Sequence, residues 1–139
     1  MQKLFVLLLP LFLSISGYTQ VISFEKSYAY FTNEDERAMQ VIQTHDQGYV
    51  ISVSTNATGL FSIRYGGIIK TDSLGNKLWE YRFVIPQYAT FEYIAESNDS
   101  GVILGMLIPT DTSGVGDFNI LIQKLSASGQ FVSSKLINS

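Results

Sequence analysis

Two stretches of this 139-residue chain repeat each other, and a chain built on such a repeat must fold as like units that bury a face against one another. Val41-Ile42-Gln43-Thr44-His45-Asp46-Gln47-Gly48-Tyr49-Val50-Ile51 aligns with Ile94-Ala95-Glu96-Ser97-Asn98-Asp99-Ser100-Gly101-Val102-Ile103-Leu104 at an offset of 53. Further on, Ile68-Ile69-Lys70-Thr71-Asp72-Ser73-Leu74-Gly75-Asn76 aligns with Ile122-Gln123-Lys124-Leu125-Ser126-Ala127-Ser128-Gly129-Gln130 at an offset of 54. The one-residue difference puts a single insertion in the loop between the two blocks. Two ordered anchors at nearly one offset mark an internal repeat.

Within each unit the pattern predicts four short strands. In the first unit they fall at 41–44, 49–54, 62–71 and 78–84, and in the second at 92–97, 101–108, 117–125 and 130–137. The His45-Asp46-Gln47-Gly48 turn reads as a hairpin, with glycine supplying the positive φ that such turns need. Asp72-Ser73-Leu74-Gly75-Asn76 reads as a second turn rich in Asp, Gly and Asn. Trp79, Tyr81 and Phe83 alternate with Glu80 and Arg82, the period of a half-buried strand. A further strand is expected at Ile22–Tyr28, where a fourth strand of a unit would stand. Asn33 to Arg37 also fits a helix start, with Asn as cap and acids in the first turn, but the strand pattern that follows is stronger. The fold expected is all-β, with two four-stranded antiparallel units resembling propeller blades plus one N-terminal strand. A two-sheet β-sandwich is the alternative. The expected division is 1–19, a signal peptide; 20–37, the N-terminal strand and an acidic loop; 38–85, the first repeat; and 86–139, the second.

The signal peptide rests on Lys3, on the almost wholly apolar Leu4–Ile15, and on the small or polar Ser16, Gly17 and Thr19 that follow. The apolar stretch is shorter than the ~20 residues that cross a bilayer, so no membrane insertion is expected once the peptide is removed. Cleavage after Thr19 leaves Gln20 first; a cut after Ser16 also fits. The remainder holds 8 basic and 12 acidic residues and no run of Lys or Arg, which excludes the basic patch a nucleic-acid partner requires. With no cysteine, there is neither a lipid-anchor thiol nor a disulfide. The expected location is secreted or on the cell surface, with the periplasm also open.

Thr44 to Ile51 followed by Ile69-Lys70-Thr71-Asp72-Ser73-Leu74-Gly75-Asn76-Lys77-Leu78-Trp79 resembles the propeller-like repeats of secreted Bacteroidota proteins. Their pattern runs T-x-D-G-G-Y and then I-K-T-D-x-x-G-N-x-x-W. The second unit is looser, with Ser133 at the Trp position and Leu125-Ser126 in place of Thr71-Asp72. The resemblance implies several more blades and a C-terminal sorting domain for the type IX secretion route; the sequence to Ser139 carries neither. Asp72-Ser73-Leu74 is also similar to the Asp-Ser/Thr-apolar sequence that Bacteroidota O-glycosylate on exported proteins.

No catalytic, cofactor-binding or metal-binding residues are assigned. Cysteine nucleophiles and cysteine metal sites are excluded. His45 is the single imidazole, and its repeat partner is Asn98, which reads as a surface turn group. Asp46 and Asp99 recur in turns, where a carboxylate hydrogen-bonds the backbone. Glu34, Asp35 and Glu36 form a solvated loop, so no facing acid pair of the glycosidase kind emerges. Asp111 to Asp117 lacks the ligand density of a calcium loop, and neither Gly66-Gly67 nor Gly114-Val115-Gly116 opens a helix as a phosphate cradle does. Asn56-Ala57-Thr58 and Asn98-Asp99-Ser100 match the N-glycosylation acceptor pattern. The function expected is a non-catalytic binding module whose partner is protein or glycan, with self-association or further blades as ways to cover its outer faces. The alternative is a piece of a secreted polysaccharide-acting hydrolase whose catalytic residues lie elsewhere.

Overall fold

Short apolar segments broken by tight turns leave the chain one economical course, which is to fold each segment back on the last. The computed structural model describes residues 25–29, 36–55, 64–85, 89–111 and 116–138, and it is all-β. The strands are β1 (Glu36–Gln43), β2 (Tyr49–Thr55), β3 (Arg64–Thr71), β4 (Lys77–Ile85), β5 (Thr90–Glu96), β6 (Val102–Pro109), β7 (Phe118–Leu125) and β8 (Phe131–Ile137). They form two antiparallel four-stranded meanders, β1-β2-β3-β4 (sheet A) and β5-β6-β7-β8 (sheet B), and neither closes into a barrel.

The repeat extends to irregularities. A bulge falls between Ala38 and Gln40 in β1 and between Phe91 and Tyr93 in β5. Another falls opposite Lys70/Thr71 in sheet A and opposite Lys124/Leu125 in sheet B. Positive φ occurs at Gln47 and Ser100, and again at Gly75 and Gly129. This corrects one expectation: the residue before the turn glycine takes the left-handed conformation. Gly48 and Gly101 are needed for another reason, because a Cβ there would fall on the carbonyl oxygen of Thr71 or Leu125.

Two further expectations are adjusted. β1 begins at Glu36, so Glu36 and Arg37 belong to the first sheet and not to the acidic loop or a helix start. Residues 25–29, part of the expected N-terminal strand, carry no strand pairing among the described residues. They lie over sheet A instead, with Tyr28 packed on the cluster of Val53 and Ile69, against which Ile51 also packs. The expected signal peptide falls outside the described residues, as do Asn56 and most of the acidic loop.

Each sheet has two faces, and the register assigns them. One face of sheet A carries Ile42, Val50, Ile68, Trp79, Tyr81 and Phe83; call it the front. Its back carries Val41, Ile51, Val53 and Ile69. The front of A packs on Phe91, Ile94, Val102, Leu104, Met106 and Leu125 of sheet B, forming the main core. By repeat position, Ile94, Leu104 and Met106 are the counterparts of Val41, Ile51 and Val53. Sheet B therefore offers its back to the front of sheet A. Unlike faces meet, as in stacked repeats, and burial of these large apolar side chains is the main stabilisation. Gly66 serves this packing directly: a Cβ would run into the Phe83 ring, which stacks with Tyr81 at 5.9 Å and meets Phe91 edge-on at 5.4 Å.

The layers are also tied by polar contacts. Backbone approach between the sheets is tightest where β1 meets β5, and there the Ile94 amide donates to Gln40 Oε1 at 2.8 Å. Trp79 lies on Gly129 in the β7–β8 turn and donates its indole N–H to the Ala127 carbonyl at 2.9 Å. Tyr28 repeats this one layer earlier, donating its hydroxyl to the Gly75 carbonyl in the β3–β4 turn at 2.7 Å.

Candidate functional site: the uncovered face of the second sheet

The charged groups resolve into structural devices. At each β-hairpin start, Thr or Ser, Asp and a lysine from the third strand form a latch. Thr44 Oγ1 donates to Asp46 Oδ1 at 2.5 Å, and Lys70 Nζ donates to Thr44 Oγ1, both Asp46 oxygens and the Thr71 carbonyl at 2.9–3.0 Å. In sheet B, Ser97 Oγ donates to Asp99 Oδ1 at 2.5 Å and Lys124 Nζ to Asp99 Oδ2 at 2.6 Å. The Asp46 carboxyl is lowered to about 2, first by the Thr44 hydroxyl and then by Lys70. Asp99 is held well below the ordinary carboxylate range, first by Lys124 and then by Ser97. Both aspartates also accept from the amide of the turn glycine, as expected from the sequence. The lysine partners were not anticipated, although Lys70 and Lys124 stood in the same repeat block.

His45, expected to be a surface turn group, is 86% exposed at its side chain but has a partner. Its amide and its Nδ1 both meet Glu96 Oε2, at 2.9 and 2.8 Å, so the β1–β2 turn is fastened to the end of β5. No signal in the sequence joined these two residues, which lie 51 positions apart. Among the described residues no group of three His, Asp or Glu side chains gathers as a metal site would require. The Asp111–Asp117 loop is closed by Thr110, whose amide and hydroxyl both donate to the Asp117 carbonyl. Asp72 organises the β3–β4 turn by accepting from the amides of Leu74 and Asn76 and from the Asn76 side chain. Ser73 is half-buried in that turn, and Asn98 is exposed at the β5–β6 turn.

What remains without a structural task is the front of sheet B. Cross-strand pairing puts Ala95, Ile103, Lys124 and Ser133 in one row, Tyr93, Gly105, Ile122 and Lys135 in the next, and Leu107, Ile120 and Ile137 in a third. Ala95, Ile103, Ile122 and Ile137 are the repeat counterparts of Ile42, Val50, Ile68 and Phe83 in the shared core, whereas Ser133 and Lys135 stand where sheet A has Trp79 and Tyr81. Yet Tyr93 is 69% exposed, Ile120 43%, Ile137 40% and Ile103 36%. Ile103 and Ile120 lie on this uncovered front. Trp79 and Tyr81 turn into the shared core and Val53 is buried under Tyr28. The latch lysines register the same asymmetry: the Lys70 side chain is 7% exposed beneath sheet B, while Lys124 on the uncovered front is 34% exposed.

The edge continues the surface. All of β8 is exposed, including Phe131, Val132 and Leu136, and Lys135 is its single charge. Its counterpart β4 carries Lys77, Glu80 and Arg82, with Glu80 bridging the two cations at 2.7 and 2.9 Å. Charged edges of that kind resist pairing with other chains, and β8 has little of it. No protein-family model, curated protein or solved structure matches the chain.

Proposed function

We propose that this chain is an exported, non-catalytic interaction module built of two propeller-blade-like layers, and that its working surface is the front of sheet B. The observation that carries the reading is unlike-face stacking. Within the chain, a front face is completed by the back of a following layer, and the front of sheet B keeps apolar side chains at Ala95, Ile103, Ile122 and Ile137, the counterparts of core residues in sheet A, with nothing described over them. Contiguous exposed apolar surface on a globular protein marks an interaction site. The apolar part of the face is one exposed aromatic, Tyr93, with aliphatic side chains around it, and the polar groups in its three rows are Lys124 and Ser133 in the first and Lys135 on the edge strand, which favours a protein partner over a glycan, whose hydroxyls need convergent polar groups. Blade-like layering is supported by the meander order, the close β1–β5 approach and the repeated aromatic docking of Tyr28 and Trp79. Export rests on the charged start and apolar core of residues 1–19.

Amine labelling read by mass spectrometry tests the surface. Lys124 in material labelled in its native exported setting should react more slowly than Lys124 in dilute purified protein, while Lys70 stays slow in both. Equal Lys124 reactivity in the two settings refutes an engaged front face. The same spectra report the mature start, expected at Gln20.

A further inference from the structure

Resting on the reading that the front of sheet B is an interaction surface, we infer that its occupant is a second copy of this chain, packed front to front about a twofold axis.

The two ends of the stack differ. On the back of sheet A, residues 25–29 already lie over β2 and β3: Tyr28 covers Val53 and Ile69, and Lys26 Nζ donates to Asn76 Oδ1 at 3.3 Å. A second copy docking its front on that back, as sheet A docks on sheet B, would have to displace this segment and the 2.7 Å Tyr28–Gly75 hydrogen bond. Front-to-back addition is thereby obstructed at its receiving side, and with it ring or filament growth, which requires both faces free. Among the described residues nothing covers the front of sheet B in this way. A molecule with one covered end and one uncovered apolar end completes itself by pairing like with like, and that pairing stops at two.

The composition of the face permits this. Tyr93, Ile103, Ile120, Ile122, Leu107 and Ile137 form a continuous apolar field, the kind of inner face that aligned sheet pairs bury. Of its two lysines, Lys124 is neutralised by Asp99, and Lys135 sits on the edge strand, where a long side chain reaches solvent at the rim. A face of four strands spaced ~4.8 Å apart and about seven residues long at ~3.4 Å projects roughly 450 Å² per copy. Two such faces give on the order of 900 Å², at the low end of specific interfaces, so the dimer is reversible and micromolar or weaker.

Sedimentation velocity on the purified full-length mature chain, over a wide concentration range, decides the matter. The expected result is a monomer–dimer equilibrium with no larger species. Ile120→Lys on the front should weaken dimerisation at least tenfold, and Val41→Lys on the back should leave it unchanged. A monomer at every concentration, growth beyond two copies, or equal loss with Val41→Lys each overturns the inference. Should Ile120→Lys fail to fold, the unmodified chain still answers: Lys124 labelling must slow as concentration rises while Lys77 does not, and concentration-independent Lys124 reactivity overturns the inference. If Lys124 is protected in the native setting but the pure chain stays monomeric, the surface reading stands and the second copy is excluded as its occupant.

Discussion

Replacing Gln123 by isoleucine should make the protein more stable. Gln123 faces the back of sheet B, between Leu104 and Ser134, looking toward sheet A. Its Oε1 is buried with no hydrogen-bond partner among the described residues. An orphaned buried acceptor costs about 1–3 kcal/mol in lost hydration, and the lower end applies because the residue as a whole is only half-buried. Ordering a glutamine side chain also costs about 1 kcal/mol more than ordering isoleucine. The repeat supplies the replacement, since the same position in sheet A is Ile69, 2% exposed beneath Tyr28. The expected gain is about 1–2 kcal/mol, which for a domain near this size raises Tm by roughly 4–10 °C. Urea unfolding followed by circular dichroism should show a higher midpoint at unchanged slope. The reciprocal Ile69→Gln should cost about 3 kcal/mol, because it loses a buried side chain and buries an amide. A midpoint that is unchanged or lower in Gln123→Ile would show that Oε1 is satisfied in solution, and the argument from an orphaned acceptor would fail.

Gly48→Ala and Gly101→Ala should each destabilise by about 2 kcal/mol or more, since the added methyl meets a backbone carbonyl that cannot move aside. Gln47→Gly and Ser100→Gly should be neutral to stabilising by up to ~1 kcal/mol, because both residues hold positive φ; thermal melts that rank the four variants the other way would refute this. Stability should be level above the ordinary Asp value of 3.8 and fall as pH drops toward 2, because the folded state depresses both latch carboxyls and the unfolded chain takes up protons first. With the Asp46 side chain 58% exposed, solvent screening reduces its share to about 1 kcal/mol, and Asp46→Asn should flatten that part of the urea-midpoint profile between pH 4 and pH 2. Trp79 is the only tryptophan, so its emission reports contact between the layers directly, and Trp79→Ala should cost about 2–3 kcal/mol; a loss below 0.5 would mean the Trp79–Gly129 contact contributes little.

Much of the fold was legible because its signals are local. The Asp-x-Gly and Gly75 or Gly129 turns mark where the chain reverses, and the alternation in Lys77–Ile85 fixes which side of β4 enters the core. The Ile22–Tyr28 segment was read by the same local pattern; its described part, residues 25–28, lies over sheet A with no strand pairing among the described residues, and whether such residues pair or cover depends on which edges are free, which is not written in seven residues. The latch was half visible. Aspartate and glycine recur at one spacing, but Lys70 reaches Asp46 only because antiparallel pairing sets Lys70 opposite Val50, beside the turn. The His45–Glu96 link was invisible, since it joins the turn of one layer to the end of a strand in the next.

The sequence by itself determined that there are two like units, where each turns, and which residues alternate between two faces, because turn chemistry and strand period act over a few residues. Only the tertiary structure decided which faces meet. Both sheets are apolar on both sides, so either a front-to-front or a front-to-back arrangement satisfies the local pattern. The choice fell to surfaces that can interlock: Trp79 on Gly129, Phe83 over Gly66, and Tyr28 held on the opposite side of sheet A. Among the described residues that choice leaves the front of sheet B uncovered, because a stack that joins unlike faces ends with one of each, and residues 25–29 lie over the other.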